Sequence, residues 1–177
     1  NSGSMSDEQQ AVSNNVRSFV DSLTLRGVDF ALGLCRYGQS TNSGNPIIED
    51  NGILTTNVNY FKNTLWTRNV VSGGTEPGYY AIKQSSSSFS FRSGAQKIFI
   101  IITDETPNQG GATLQEALDA CTNSSITLYA LTLQGLYTTF EPITNATHGA
   151  LYDIISPFND ILNHIGRGIS NSYVLKY

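Results

Sequence analysis

Charge is what this chain has least of. Asp, Glu, Lys and Arg make up 14% of its 177 residues, against about a quarter in an ordinary soluble domain. The 10 basic residues are outnumbered by 14 acids, for a net charge of −4. That balance offers no footprint for a phosphate backbone, so no nucleic-acid partner is expected. Long apolar runs are missing too. None reaches the ~18 residues a membrane span needs, and no span is expected in this chain. There are only 2 cysteines and 2 histidines. Cys35 falls near the C-terminal end of a predicted strand. Cys121 falls at the C-terminal end of a predicted helix, toward the opposite end of the sheet, which favours two buried thiols over a bridge. His148 and His164 are far apart in sequence, and neither stands in a nucleophile motif. We place His148 in a turn before a strand and His164 on an exposed helix face. Zinc spacing of Cys and His is absent. Gly73-Gly74-Thr75 lacks the following Lys of a phosphate loop. Little is left for an enzyme to work with, and no catalytic residue is assigned.

What fills the surface instead is Ser, Thr, Asn and Gly, a composition commoner outside the cytoplasm. A chain of this length suits one domain with a substantial core. We read residues 1–177 as a single domain. Apolar residues recur at three- and four-residue spacing over 7–22 (Val12, Val16, Phe19, Val20, Leu23), which predicts a helix ended by Arg26-Gly27. Residues 28–37 are apolar on both faces, as in a strand covered by helices on both sides. The Pro-led 46–51 stretch after a short turn predicts an antiparallel edge strand. A helix capped by Thr55 or Thr56 follows to about 66, with Val58, Phe61 and Leu65 inward. Another helix starts at Thr75-Glu76-Pro77, where Pro suits the first turn, and runs to about 85. Residues 98–103, five apolar residues and a Thr, form the clearest central strand. Thr113, with Glu116 three residues on, caps a helix to 121. Residues 126–133 form the next strand. Then come an irregular loop over 135–146, a short strand at 150–154, a helix over 158–169 and a short strand at 172–177. The alternation predicts an α/β fold: a doubly wound, mostly parallel open sheet with helices on both faces and one antiparallel edge strand.

Three segments carry hydroxyl and carboxyl oxygens in an order that suits a hard cation. Asn1-Ser2-Gly3-Ser4-Met5 puts two hydroxyls two residues apart on a turn before a helix. Gly73-Gly74-Thr75-Glu76-Pro77-Gly78 puts a third before another helix, after glycines that let the backbone come close. Asp104-Glu105 ends the central strand. Mg²⁺ takes six oxygens in an octahedron and keeps several waters, so a few such groups from separate loops meet its needs. Each residue alone has an ordinary reading, as helix cap or loop acid; the joint order changes the odds.

In this order the three pieces resemble the metal-ion-dependent adhesion site of a von Willebrand factor type A domain. The resemblance implies that Ser2 and Ser4 bind the metal directly, with Thr75 and Asp104 binding directly or through water. Asn1, Gly3, Gly74, Glu76 and Glu105 would flank the ion or the ligand face; Glu105 stands where the family commonly has Gly. The cation implied is Mg²⁺, with Ca²⁺ or Mn²⁺ as substitutes. The function implied is a secreted or cell-surface adhesion module, of a kind familiar in bacteria, that binds a protein or glycan through an acidic group. Two other readings stay open: a structural domain with a purely stabilising metal, and a regulatory subunit of an ATP-driven metal-insertion complex. The motif's opening Asp would stand one place before Asn1, and the first helix has no strand before it. We therefore expect a central strand between 28–37 and 97–103 from outside these residues. It would come from an upstream segment, from a cleaved piece, or from the C-terminal strand in a permuted arrangement.

Overall fold

The computed structural model describes residues 6–39, 42–68 and 73–172. Ten elements position the site. They are α1 (Ser6–Leu25), β1 (Cys35–Arg36), β2 (Ile47–Ile48), α2 (Val58–Tyr60), α3 (Gly78–Ser88), β3 (Lys97–Ile102), α4 (Leu114–Asn123), β4 (Ile126–Thr132), α5 (Tyr137–Ala146) and β5 (Ala150–Asp153), before a closing helix α6 (Phe158–Ser172). Strands β3, β4 and β5 form a parallel sheet in that order, with Lys97 opposite Ile126 and Tyr129 opposite Ala150. Strands β1 and β2 pair antiparallel as a separate ribbon. This is the α/β architecture expected, with its antiparallel edge.

Side-chain alternation explains the two layers of helices. On β4, Ile126, Leu128 and Ala130 join a cluster with Tyr79, Ile82, Ala117, Phe140 and Ile143 from α3, α4 and α5. Leu131 points to the other face, into a cluster with Phe19, Val20 and Leu23 of α1 and Phe158, Ile161, Leu162 and Ile165 of α6. Successive residues of a strand face opposite ways, so a strand apolar at every position must be covered twice. Of the predicted inward positions of α1, the side chains of Val12 and Val16 lie outside the described residues.

Three expectations need correction. The loop over 135–146 is instead the helix α5, entered by a short turn at Gln134–Leu136. This helix contains an internal proline, Pro142, which costs a helix about 3 kcal/mol. Phe140 and Ile143 on its inner face are both fully buried, and each such side chain contributes about 1.5–3 kcal/mol, which offsets that loss. The cap of α2 is Asn57, whose side chain accepts from the Tyr60 N–H, while Thr55 Oγ1 accepts from the Asn57 N–H. The helical course then continues through Phe61–Leu65 and Trp66–Arg68. At the C-terminus, Ser172 lies in α6, and the rest of the expected strand, residues 173–177, lies outside the described residues.

The third correction concerns 28–37. Only Cys35–Arg36 is laddered, with one further antiparallel bridge between Leu32 and Thr55. The rest is extended chain whose other edge faces a gap. Among the described residues β3 pairs with β4 alone. Between β3 and the 28–37 segment lies a cavity of about 300 Å³, walled by Leu34, Cys35 and Tyr37 on one side and by Ile98, Ile100 and Ile102 on the other. A second, of about 180 Å³, continues it between Phe30–Leu32 and Ile98–Ile100. The two predicted strands are thus not paired with each other, and this slot lies between them.

Candidate metal centre

The C-terminal ends of β3 and β4 and the entry to α3 converge on one place. The ladder of β3 runs one residue past the strand, with the Thr103 N–H donating to Leu131 O at 3.0 Å. This holds Thr103, which is 1% exposed, at the root of the Asp104-Glu105 turn. Its hydroxyl donates to Glu76 Oε2 at 2.8 Å and accepts from the Glu105 N–H at 3.2 Å. Glu76 itself is 1% exposed. Its N–H donates to Gln109 Oε1 at 2.7 Å, and the Tyr79 N–H donates to Pro107 O at 3.1 Å. The loop after β3 is therefore stitched to the start of α3 on both sides.

Close packing requires glycine at two points here. A Cβ on Gly44, whose φ is +77°, would lie 2.4 Å from Thr75 O. A Cβ on Gly78 would lie 2.9 Å from Pro107 Cβ. Larger residues would push the Thr75–Pro77 turn away from the strand ends. Tyr37 closes the floor, its hydroxyl donating to Ile102 O at 3.4 Å. Burial pushes this hydroxyl's pKa up, followed by the negative charge of Glu76, with a smaller push from Asp104.

Of the predicted residues, Thr75 and Gly74 are exposed on the turn before α3, Asp104 is half-buried at the end of β3, and Glu105 is exposed beside it. Asn1, Ser2, Gly3 and Ser4 lie outside the described residues. Glu76 is at the centre of the arrangement rather than on its rim. Thr103, Tyr37, Gln109 and Gly44 were not anticipated. One signal was available: a Thr closing an otherwise apolar buried strand must find its hydroxyl a partner.

Whether these residues fit a cation can be read from their unmet oxygens. Asp104 Oδ1 and Glu76 Oε1 are both buried, and neither has a hydrogen-bond partner among the described residues. An ionised carboxylate taken from water needs a counter-charge or donors. Carboxylate and hydroxyl oxygens suit a hard divalent ion. The residues therefore fit a metal. The described residues hold no group of three or more His, Cys, Asp or Glu arranged around a metal, so the remaining ligands would be hydroxyls and water.

Comparisons with known proteins bear on the family and the fold. The model of the von Willebrand factor type A domain matches residues 1–160. Among solved structures, an aerotolerance-related membrane protein from Bacteroides fragilis is similar at 15% identity and TM-score 0.60, over 90% of this chain and 88% of that one. Proximal thread matrix protein 1 from the mussel byssus is similar at 22% identity and TM-score 0.68. The match covers 93% of this chain but 44% of that one, so the present chain spans less than half of that protein. A second structure of the byssus protein, described as having a zinc-occupied MIDAS motif, matches at TM-score 0.67 and 22% identity, over the same shares of the two chains. A comparison with curated protein sequences returned no match.

Proposed function

The chain belongs to the von Willebrand factor type A domain family, and on that premise we propose that it is a Mg²⁺-dependent interaction module that binds an acidic group of a protein or glycan partner. The observation that carries this reading is Asp104 Oδ1, a buried carboxylate oxygen just after β3 with no partner among the described residues. Asp104 and Thr75, with Ser2 and Ser4, would hold the ion. A divalent cation bound there offers an open coordination position to an oxygen from outside. The rest is the work of the chain. The Thr103–Glu76 and Glu76–Gln109 bonds fix the turn that carries Thr75, and the Gly44 loop backs it. Thr75 and Glu105 are exposed, so a partner's side chain can reach this end of the sheet.

The low charge and hydroxyl-rich surface support a secreted or cell-surface setting. The zinc in the byssus structure supports a divalent cation at this kind of site; the oxygen donors here favour Mg²⁺ over zinc. An upstream strand completing the sheet is part of the same reading. It is supported by the slot between β3 and 28–37, whose two facing edges have no ladder partners among the described residues. No catalytic role is proposed.

Thermal unfolding with Mg²⁺ alone tests the metal. At 100 times Kd, a bound ion stabilises by about 2.7 kcal/mol, a rise of roughly 5–11 °C in a domain of this size. We expect that rise in the parent chain, its reversal by EDTA, and its loss in Asp104→Asn. No rise at millimolar Mg²⁺, Mn²⁺ or Ca²⁺ would sink the reading.

A further inference from the structure

We propose that Glu76 supplies a second carboxylate to this metal centre, its free Oε1 acting with Asp104 Oδ1 on one divalent cation. The inference rests on the metal reading above and adds to it a residue that the hydroxyl–hydroxyl–Thr–Asp pattern does not contain. Three observations carry it. Glu76 is 1% exposed, so bulk water does not solvate its charge. Only one of its oxygens is engaged, Oε2 by the Thr103 hydroxyl, while Oε1 is buried and bare among the described residues. The ion pairs of the described residues join other acids, and none includes Glu76.

The surrounding contacts orient the group rather than neutralise it. Thr103 is the residue before Asp104, so the hydrogen bond that fixes Glu76 starts from the same strand end that presents Asp104. The backbone N–H of Glu76 is tied to Gln109 on the loop after Asp104. Burial raises the Tyr37 pKa, and the negative charges of Glu76 and, less, Asp104 add to that rise. A buried carboxylate oxygen without a donor or counter-charge is unfavourable, and a cation reached by both groups would relieve that cost. With two carboxylates, the site would neutralise a divalent ion by itself and keep it resident without a partner. A site of hydroxyls and one acid depends on the partner's carboxylate for the same balance.

The test is calorimetric titration of Mg²⁺ and Mn²⁺ into the full parent chain. We expect Glu76→Gln to weaken both metals at least tenfold, and Asp104→Asn to do the same, with unchanged circular dichroism. If Asp104→Asn weakens binding tenfold and Glu76→Gln by less than threefold, Glu76 is not a ligand and the inference fails while the metal site stands. If neither substitution matters, both readings fail. Should Glu76→Gln not fold, the unsubstituted Glu76 is examined in protein carrying ¹³C-carboxyl glutamate in a Glu105→Gln background. A shift of a glutamate carboxylate stretch on adding Mg²⁺ supports the inference, and an unchanged spectrum overturns it.

Discussion

Glu49→Ala is predicted to be among the most damaging single substitutions in the first half of the chain. Glu49 is 6% exposed. Its Oε1 accepts from Arg36 Nε at 2.6 Å, and the Arg36–Glu49 contact is reinforced through Nη2. Arg36 Nη1 donates onward to Arg68 O at 2.7 Å. Arg68 in turn bonds Glu49 Oε2, and Asp50 Oδ1 at 3.1 Å. The Arg36 side chain is 10% exposed, so deleting the carboxylate leaves a guanidinium in a dry place with one backbone acceptor. Breaking a buried pair on one side costs about 3–5 kcal/mol. At roughly 2–4 °C per kcal/mol for a domain of this size, Tm should fall by about 6–20 °C. Removing both partners is different. Arg36→Met with Glu49→Leu keeps the volume and strands no charge, so most of the loss should return. Urea unfolding followed by circular dichroism gives both values, with an unchanged m expected. A cost below about 1 kcal/mol for Glu49→Ala, the value of a solvated surface pair, would refute the claim that this network is dry and holds the β1–β2 ribbon to the helical course at 58–68.

Asp104→Ala should abolish Mg²⁺ binding while Glu105→Ala keeps most of it, because Asp104 has the buried bare oxygen and Glu105 is exposed; calorimetry on both variants decides. Thr75→Ala removes one neutral oxygen that water can replace. It should keep most metal affinity yet weaken partner binding by about 1–3 kcal/mol, read by adhesion assays with and without EDTA. Thr132→Val should raise stability by about 1 kcal/mol, since Thr132 Oγ1 is fully buried without a partner among the described residues and an unmet hydroxyl is costly; denaturant unfolding checks the sign. Glu116 is held at about 2, below its model-compound value of 4.5, first by the Lys83 hydrogen bond and then by the Thr113 cap. A depressed carboxylate stabilises above its unfolded pKa, so this contribution should fade as pH falls from about 4.5 toward 2, and Glu116→Gln should flatten that part of the pH–stability curve.

Periodicity made most of the fold legible. The two-sided apolar runs at 97–102 and 126–132, the Thr113 capping box and the 158–165 stripe each had one physical solution, and the chain took it. The capping box forms as read, with Thr113 and Glu116 exchanging hydrogen bonds. Helix α5 was hidden because what stabilises it, the burial of Phe140 and Ile143, is supplied only by tertiary packing. The shortened 28–37 strand was hidden for the opposite reason. Its sequence satisfies a strand fully, but a ladder needs a neighbour, and propensity cannot report one. At the candidate site, motif order named Thr75 and Asp104. The inward turn of Glu76 was not legible, because it depends on where Thr103 ends its strand.

The slot also decides how this domain comes apart. Strands β3, β4 and β5 with α4 and α5 are consecutive in sequence and joined by a continuous backbone ladder. The 28–68 region has its own ladder, and none crosses between the two regions among the described residues. What spans the junction is side-chain packing, with Tyr37 Oη to Ile102 O as one polar tie. Cooperative units follow such boundaries. Native-state amide exchange should therefore show two plateaus: a slow one for 97–153 and a faster one for 28–56, reached by sub-global opening. A strand that enters the slot would hydrogen-bond to both sides at once. Its first effect would be to fuse the two plateaus, making the region around Cys35 exchange as slowly as β4.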